Sequence, residues 1–174
     1  MKLYHFSEEA RIEVFHPRVK ANRTDMSPVV WAIDEEHQFT FFVPRNCPRI
    51  VYTRHEGMSE EDEIRFFGHT SADIVMTMET RWYNKMIETP LYRYELPPES
   101  FECFDEIAGY YISREMVEPV GKTEIRDSLQ RLLSLGIDFR FTPDLHPLKD
   151  AILRSSLKDF GIHRFEYAIG AAEF

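Results

Sequence analysis

Short runs in which apolar and polar residues alternate recur along the chain, and this pattern is typical of β-strands with one buried face. Val29–Ile33 is instead apolar throughout, as expected of a strand that is covered on both faces. The pattern predicts strands over the following stretches: Lys2–Phe6, Val29–Ile33, Pro48–Arg54, Leu91–Leu96, Gly109–Ser113 and Met116–Val120. Ile137–Phe141 and Arg164–Ile169 are weaker strand candidates.

Other stretches space their apolar residues three and four apart, which predicts amphipathic helices. The clearest begins at Ser59, whose hydroxyl is a favoured N-cap, and continues through the acidic first turn Glu60–Glu63. The predicted helices are His37–Val43, Ser59–Phe67, Ser71–Glu88, Thr123–Gly136 and Leu145–Phe160. Strands and helices do not follow a regular βαβ order, so we predict an α+β fold with a mixed, largely antiparallel sheet, split or continuous, and four to five helices. No repeat or linker divides the chain, and we therefore expect a single domain over residues 1–174.

Composition narrows the classes of partner. The 174 residues include 21 Lys and Arg against 30 Asp and Glu, which gives a formal net charge of −9 and argues against DNA or RNA as the main partner. The longest apolar runs have about five residues, whereas a bilayer span needs about 20, so we expect no membrane segment. With only Cys47 and Cys103 and no signal-peptide pattern, the sequence is typical of a reducing cytoplasm.

Several strong catalytic motifs are missing. The sequence contains no GxGxxG, GxxxxGK[ST], HExxH, paired CxxC or GxSxG pattern, and these absences lower the expectation of the corresponding enzyme classes. The seven histidines are scattered without metal-ligand spacing, so we expect no metal site. Cys47 has cationic neighbours that favour a thiolate, but without a recognisable base nearby in sequence a buried inert thiol is the preferred interpretation.

The segment from Pro44 to His55 contains Arg45, Arg49 and Arg54 and no acid. Because guanidinium groups bind phosphates through two hydrogen bonds, Arg45 and Arg49 are candidate phosphate ligands. The alternative is that these arginines form ion pairs with the acids of Glu60–Glu63.

The most informative combination joins the first two strands. His5 and Ser7 lie on the first and Trp31 on the second, so that an imidazole and a hydroxyl can bind ribose oxygens while an indole stacks on a flat ring. This hypothesis requires both rings to face the same cavity. The alternative is that His5 and Trp31 are ordinary core residues.

The stretches LYHFSEE, PVVWAID, PRNCPR, LYRYELP and YYISREMVEP resemble a family of short, uncharacterised bacterial proteins over nearly the whole chain. More remotely, the order of elements is similar to the ADP-ribosyltransferase-like group, whose cleft between two small sheets binds NAD. That resemblance implies that His5 binds ribose and that Trp31 lies near the nicotinamide. In an NAD-type cleft of this kind we expect Trp31 and Tyr110 to frame the ring. Where that group often has an acid, this chain has Tyr110 and Tyr111, and Glu115 is the weak candidate for the missing carboxylate.

Three hypotheses follow. The first is a nucleotide-binding protein with an NAD-type cleft, whether or not it turns a substrate over. The second is a non-catalytic module that binds a small molecule or a protein through an aromatic surface. The third is an oligomeric structural protein whose many phenylalanines lie in an interface.

Overall fold

A computed structural model of the chain describes residues 1–19 and 25–170. In chain order, its strands and α-helices are β1 (Leu3–Ser7), β2 (Val30–Asp34), β3 (Arg49–Thr53), α1 (Glu60–Phe67), β4 (Ile74–Glu79), α2 (Tyr83–Glu88), β5 (Leu91–Leu96), β6 (Glu102–Asp105), β7 (Tyr110–Ser113), β8 (Gly121–Ile125), α3 (Ser128–Ser134), β9 (Asp138–Thr142), α4 (His146–Leu153) and β10 (Phe160–His163). Most strand pairs are antiparallel, which confirms the α+β class predicted from the sequence.

The chain divides into two compact units. The first unit comprises Met1–Phe42 and Thr89–Arg126, and the second comprises Val43–Glu88 and Asp127–Phe174. No helix within residues 1–19 and 25–170 has the length and apolar character needed to cross a bilayer.

The first unit is built on a six-stranded antiparallel sheet in the order β6-β7-β2-β1-β5-β8. One face carries the core of the unit, which is covered by the segment around Phe15 and by Val117. Tyr94 is buried in this core, where its hydroxyl donates to the Glu9 carbonyl at 2.6 Å and accepts from the Ile12 N–H at 3.2 Å. These two bonds satisfy the buried hydroxyl and fix the covering segment on the sheet.

The second unit has a four-stranded sheet in the order β10-β3-β4-β9, in which only the β4–β9 pair is parallel. Its core combines strand, helix and loop residues, namely Ile50, Tyr52, Phe66, Phe67, Val75, Leu145, Ile152 and Leu157. The Ser59 hydroxyl accepts from the Asp62 N–H at 3.2 Å and so caps α1 as predicted.

The predicted helix Ser71–Glu88 is wrong in its first half. Ile74–Glu79 is strand β4, paired with β3 on one side and β9 on the other, and only Tyr83–Glu88 is α-helical. A central strand buried on both faces loses the alternation that marks a strand, and the apolar residues of β4 coincidentally fit a helical spacing.

Other boundaries also differ from the prediction. Gly121–Ile125 is strand β8, so the helix expected from Thr123 begins only at Ser128. The expected strand Met116–Val120 is reduced to a single bridge between Val117 and Phe15. The last helix ends at Leu153, and the final strand is Phe160–His163 rather than Arg164–Ile169.

Candidate functional site: an aromatic row on the first sheet

The pairing register of β1 and β2 decides which of the predicted site residues lie together. Leu3 is paired with Asp34 and Tyr4 with Ile33. Side chains alternate between the faces of a sheet and paired residues share a face, so His5 lies on the same face as Ala32, and Trp31 lies on the other.

His5 belongs to the core face of the first unit. Its ring centroid is 4.7 Å from that of Phe15, and its Nδ1 is 2.9 Å from the backbone carbonyl oxygen of Trp31. Ser7 shares this face, and its hydroxyl accepts from the Glu9 N–H at 3.0 Å in a local turn. The prediction that the imidazole of His5 and the indole of Trp31 face one cavity is therefore wrong.

Trp31 instead belongs to a continuous row of aromatic side chains on the opposite face. Its ring centroid is 5.0 Å from that of Phe104 and 5.9 Å from that of Tyr110. Tyr110 lies 6.0 Å from Phe41, which lies 6.2 Å from Phe6. We call these five residues, Phe104, Trp31, Tyr110, Phe41 and Phe6, the aromatic row.

The sheet and one short helix position the row. Trp31 and Tyr110 are on the same face because Trp31 pairs with Ile112 and Ile33 pairs with Tyr110. Phe41 ends the 3-10 helix Gln38–Phe41, which follows β2 directly along the chain.

The row keeps contact with solvent. Phe104 is 37% exposed, and the other four members are half-buried. Ile107, in the turn between β6 and β7, is 79% exposed and adds apolar surface to this hairpin. Two nearby acids have local roles, since Glu102 pairs with Arg114 and Asp105 accepts from the Ala108 N–H at 3.0 Å.

A cation lies at the Phe6 end of the row. Arg93 is the pairing partner of Phe6 on β5, so the two side chains share a face. The guanidinium carbon of Arg93 is 4.6 Å from the Tyr4 ring centroid, and Nη1 donates to Gln38 Oε1 at 2.9 Å. Burial raises the pKa of Tyr4, and the positive charge of Arg93 partly opposes that shift.

A second polar cluster lies where β2 ends. The Asp34 carboxylate accepts from the His37 backbone N–H at 2.8 Å, and its oxygens lie 2.8 and 3.0 Å from His37 Nδ1. Gly109 packs against this pair with φ +71°, and its carbonyl accepts from the Asp34 N–H at 3.0 Å. All these contacts are local to the turn after β2 and the hairpin beside it, which is the pattern of a turn-stabilising Asp.

The remaining predicted residues are dispersed. Arg45 and Arg49 belong to the second unit, where Arg45 is exposed and Arg49 is only 4% exposed with Nη1 donating to the Cys47 carbonyl at 3.2 Å. A guanidinium so deeply buried presents no surface to a phosphate, which corrects the prediction for Arg49. Arg54, by contrast, pairs with Glu63 as the alternative predicted.

Glu115 lies two residues beyond the end of β7, whereas Tyr110 begins that strand. Its side chain is exposed, and its backbone N–H donates to the Ser113 hydroxyl at 3.2 Å. Glu115 therefore supplies no carboxylate beside Tyr110, the middle member of the row.

No three His, Cys, Asp or Glu side chains among residues 1–19 and 25–170 are grouped so that they hold a metal ion. Cys47 is a buried thiol and Cys103 an exposed one, and the two do not form a disulfide.

The fold and this site define an α+β protein whose six-stranded antiparallel sheet carries a half-exposed aromatic row beside an arginine. Residues 4–168 match the model of a family of unknown function (DUF6886), and the chain belongs to this family. The chain matches no curated protein and no solved structure.

Proposed function

We propose that this chain is a non-catalytic binding module that holds a flat, ring-containing small molecule against the aromatic row. One observation carries the proposal: five aromatic side chains are in continuous ring contact on one face of a sheet, and none of them is fully buried. Soluble proteins seldom leave contiguous apolar surface exposed unless it has a partner.

The geometry of the row suits a flat ligand. Phe104, Trp31, Tyr110 and Phe41 meet in succession at angles between 77° and 88°, whereas Phe41 and Phe6 are nearly parallel at 20°. The row is thus a corrugated surface of ring faces and edges rather than a closed stack. Stacking of a flat base on an aromatic side chain contributes about 1–3 kcal/mol, so a few such contacts give measurable affinity.

Nucleotides, including NAD, are members of this ligand class because each carries a flat base. The proposal gives His5 no part in ribose binding, since the imidazole lies on the opposite face of the sheet. The proposal includes no group transfer. Glu115, the candidate for the missing carboxylate, is exposed and lies beyond the end of β7 opposite to Tyr110.

Thermal unfolding with a panel of flat rings tests the proposal. Indole, adenosine, nicotinamide and riboflavin are each added to the parent protein, to Phe104→Ala and to Phe160→Ala. Phe160 is a matched control because it is 36% exposed but lies on β10 of the second unit.

At least one ring is expected to stabilise the parent, by about 2.7 kcal/mol when the ligand is present at 100 times its Kd. Phe104→Ala is expected to weaken that binding, while Phe160→Ala binds as the parent does. The proposal is overturned if no ring stabilises the parent, or if Phe104→Ala and Phe160→Ala bind equally well.

A further inference from the structure

We infer that Arg93 is an anion-binding residue and that the ligand of the aromatic row is a flat ring bearing a carboxylate or phosphate group. This inference rests on the proposed function and adds the charge of the ligand to it.

The position of Arg93 makes it a continuation of the row. It is paired with Phe6 across β1 and β5 and shares the face of Tyr4 and Phe6. Gln38, which accepts from Arg93 Nη1 at 2.9 Å, begins the same 3-10 helix that Phe41 ends. A ligand seated on Phe41 and Phe6 therefore lies next to a guanidinium that is already held in place.

The guanidinium has no anionic partner in the described part of the chain. Arg54 pairs with Glu63, Arg81 with Glu79 and Arg140 with Asp138. Arg93, by contrast, has no carboxylate oxygen within 4.0 Å among residues 1–19 and 25–170; its contacts there are the Gln38 amide oxygen and the Tyr4 ring. In the part of the chain that the structure describes, one guanidinium N–H is bonded, to Gln38, and a planar guanidinium fits a carboxylate or a phosphate through two parallel hydrogen bonds.

Two carboxylates near Arg93, those of Glu35 and Glu95, repel an anion bound there. Glu35 lies 3.4 Å from the Tyr4 hydroxyl and 4.0 Å from Lys2 Nζ. Glu95 is two residues from Arg93 on β5 and shares its face. Neither forms an ion pair with Arg93, so direct hydrogen bonds to the guanidinium must provide the selectivity for an anion.

Matched pairs of ligands test the inference, because each pair changes the charge while keeping the ring. The pairs are nicotinamide with nicotinate, and adenosine with AMP, and their Kd values are measured by calorimetry for the parent, Arg93→Gln, Arg93→Lys and Arg114→Gln. Arg114→Gln is the control, since it removes one positive charge from the same unit at an exposed position paired with Glu102.

We expect the anionic member of at least one pair to bind at least tenfold more tightly to the parent and to Arg114→Gln. Arg93→Gln is expected to bind both members equally, and Arg93→Lys, which keeps the charge but not the planar fork, is expected to fall between them. If Arg93→Gln does not fold, the reduced preference of Arg93→Lys carries the test.

Three results overturn the inference. Equal binding of both members to the parent removes the role of Arg93 and leaves the proposed function intact. An anion preference that survives in both Arg93 variants assigns the anion to another residue. Failure of all four ligands to bind removes the inference, and it overturns the proposed function as well when indole and riboflavin also fail to stabilise the parent.

Discussion

His5 Nδ1 lies 2.9 Å from the backbone carbonyl oxygen of Trp31, yet the two rings are on opposite faces of the sheet. A carbonyl oxygen only accepts, so this contact requires the proton on Nδ1 of His5. The imidazole therefore links β1 to β2 by a hydrogen bond on the core face, while the indole lies in the aromatic row on the opposite face. Although β1 and β2 are neighbouring strands, the rings of His5 and Trp31 do not lie in one site.

Replacement of Glu95 by Gln is expected to tighten the binding of an anionic ring ligand several-fold. The change removes a negative charge on the same face as Arg93, while the side chain keeps its shape. Titration of AMP and adenosine into the parent and into Glu95→Gln measures the effect, and adenosine should show no difference. Weaker AMP binding in Glu95→Gln would contradict an anion site at Arg93.

Replacement of Gly109 by Ala is expected to destabilise the protein more than replacement of Gly57. Both glycines have positive φ, +71° and +86°, and a left-handed Ala costs about 1–2 kcal/mol at either position. A Cβ at Gly109 would also lie 2.3 Å from His37 Nδ1 and 2.7 Å from Asp34 Oδ1, whereas Gly57 has open space.

Urea unfolding of the two variants separates backbone strain from this contact. Gly109→Ala should lose about 1–3 kcal/mol beyond the loss in Gly57→Ala, as is typical of overpacking. Equal losses would mean that the Asp34–His37 pair does not depend on close approach to Gly109.

Asp62 is expected to stabilise the second unit in a pH-dependent way. The Ser156 backbone N–H and hydroxyl both donate to its carboxylate at 2.7 Å, and the Ser59 hydroxyl donates at 3.0 Å; these bonds hold the pKa of Asp62 below its ordinary value of 3.8. A carboxyl whose pKa is lowered on folding stabilises the protein above its unfolded pKa and loses that contribution as the pH falls through its folded pKa.

The parent should therefore be more stable than Asp62→Asn at pH 7, and the difference in the free energy of unfolding should shrink below about pH 4. Chemical unfolding of both proteins between pH 7 and pH 3 measures this difference. A difference that stays constant over the whole range would rule out the carboxylate as its source.

Glu79 is expected to hold the segment that follows the 3-10 helix Phe165–Tyr167. Its carboxylate is fully buried and accepts from the Ile169 N–H at 3.0 and 3.2 Å and from Arg81 Nε at 3.0 Å. Arg81 Nη2 in turn donates to the Tyr167 carbonyl at 2.6 Å.

Glu79→Gln weakens these charge-assisted bonds, which are typically worth about 1.5–3 kcal/mol each, so the Ile169 amide should exchange with solvent on the order of tenfold faster or more. Glu166→Gln is the matched control, because Glu166 lies in the same segment but is 54% exposed. Unchanged protection of Ile169 in Glu79→Gln would show that other contacts hold the segment.

The sequence predicted four of the six strands of the first sheet, namely β1, β2, β5 and β7. The pattern of Leu91–Leu96 alternates because one face of that antiparallel strand is covered and the other is not. The prediction failed at β4, where burial on both faces removes the alternation, and at Glu102–Asp105, where the adjacent apolar residues Cys103 and Phe104 break the alternation. The predicted helix over His37–Val43 is a 3-10 turn, Gln38–Phe41, and this difference decides where Phe41 lies.

The site was harder to predict than the fold. Trp31 and Tyr110 were both singled out from the sequence, and the structure brings them together because β2 and β7 are neighbours. Phe104 was missed because its strand was missed, and Arg93 was missed because a single charged residue on a predicted strand gives no indication of which residue it faces. Register and strand order decide which residues of neighbouring strands lie together, and both arise only from tertiary pairing.

The most direct test of the aromatic row uses the two tryptophans as probe and control in one spectrum. Trp31 is in the row and Trp82 is in the second unit, so their indole N–H signals report on the two units separately. In a ¹H–¹⁵N NMR titration with AMP, we predict a saturable shift of the Trp31 signal and a constant Trp82 signal. A Trp31 signal that does not move while AMP binds, or a shift confined to Trp82, would contradict binding at the row.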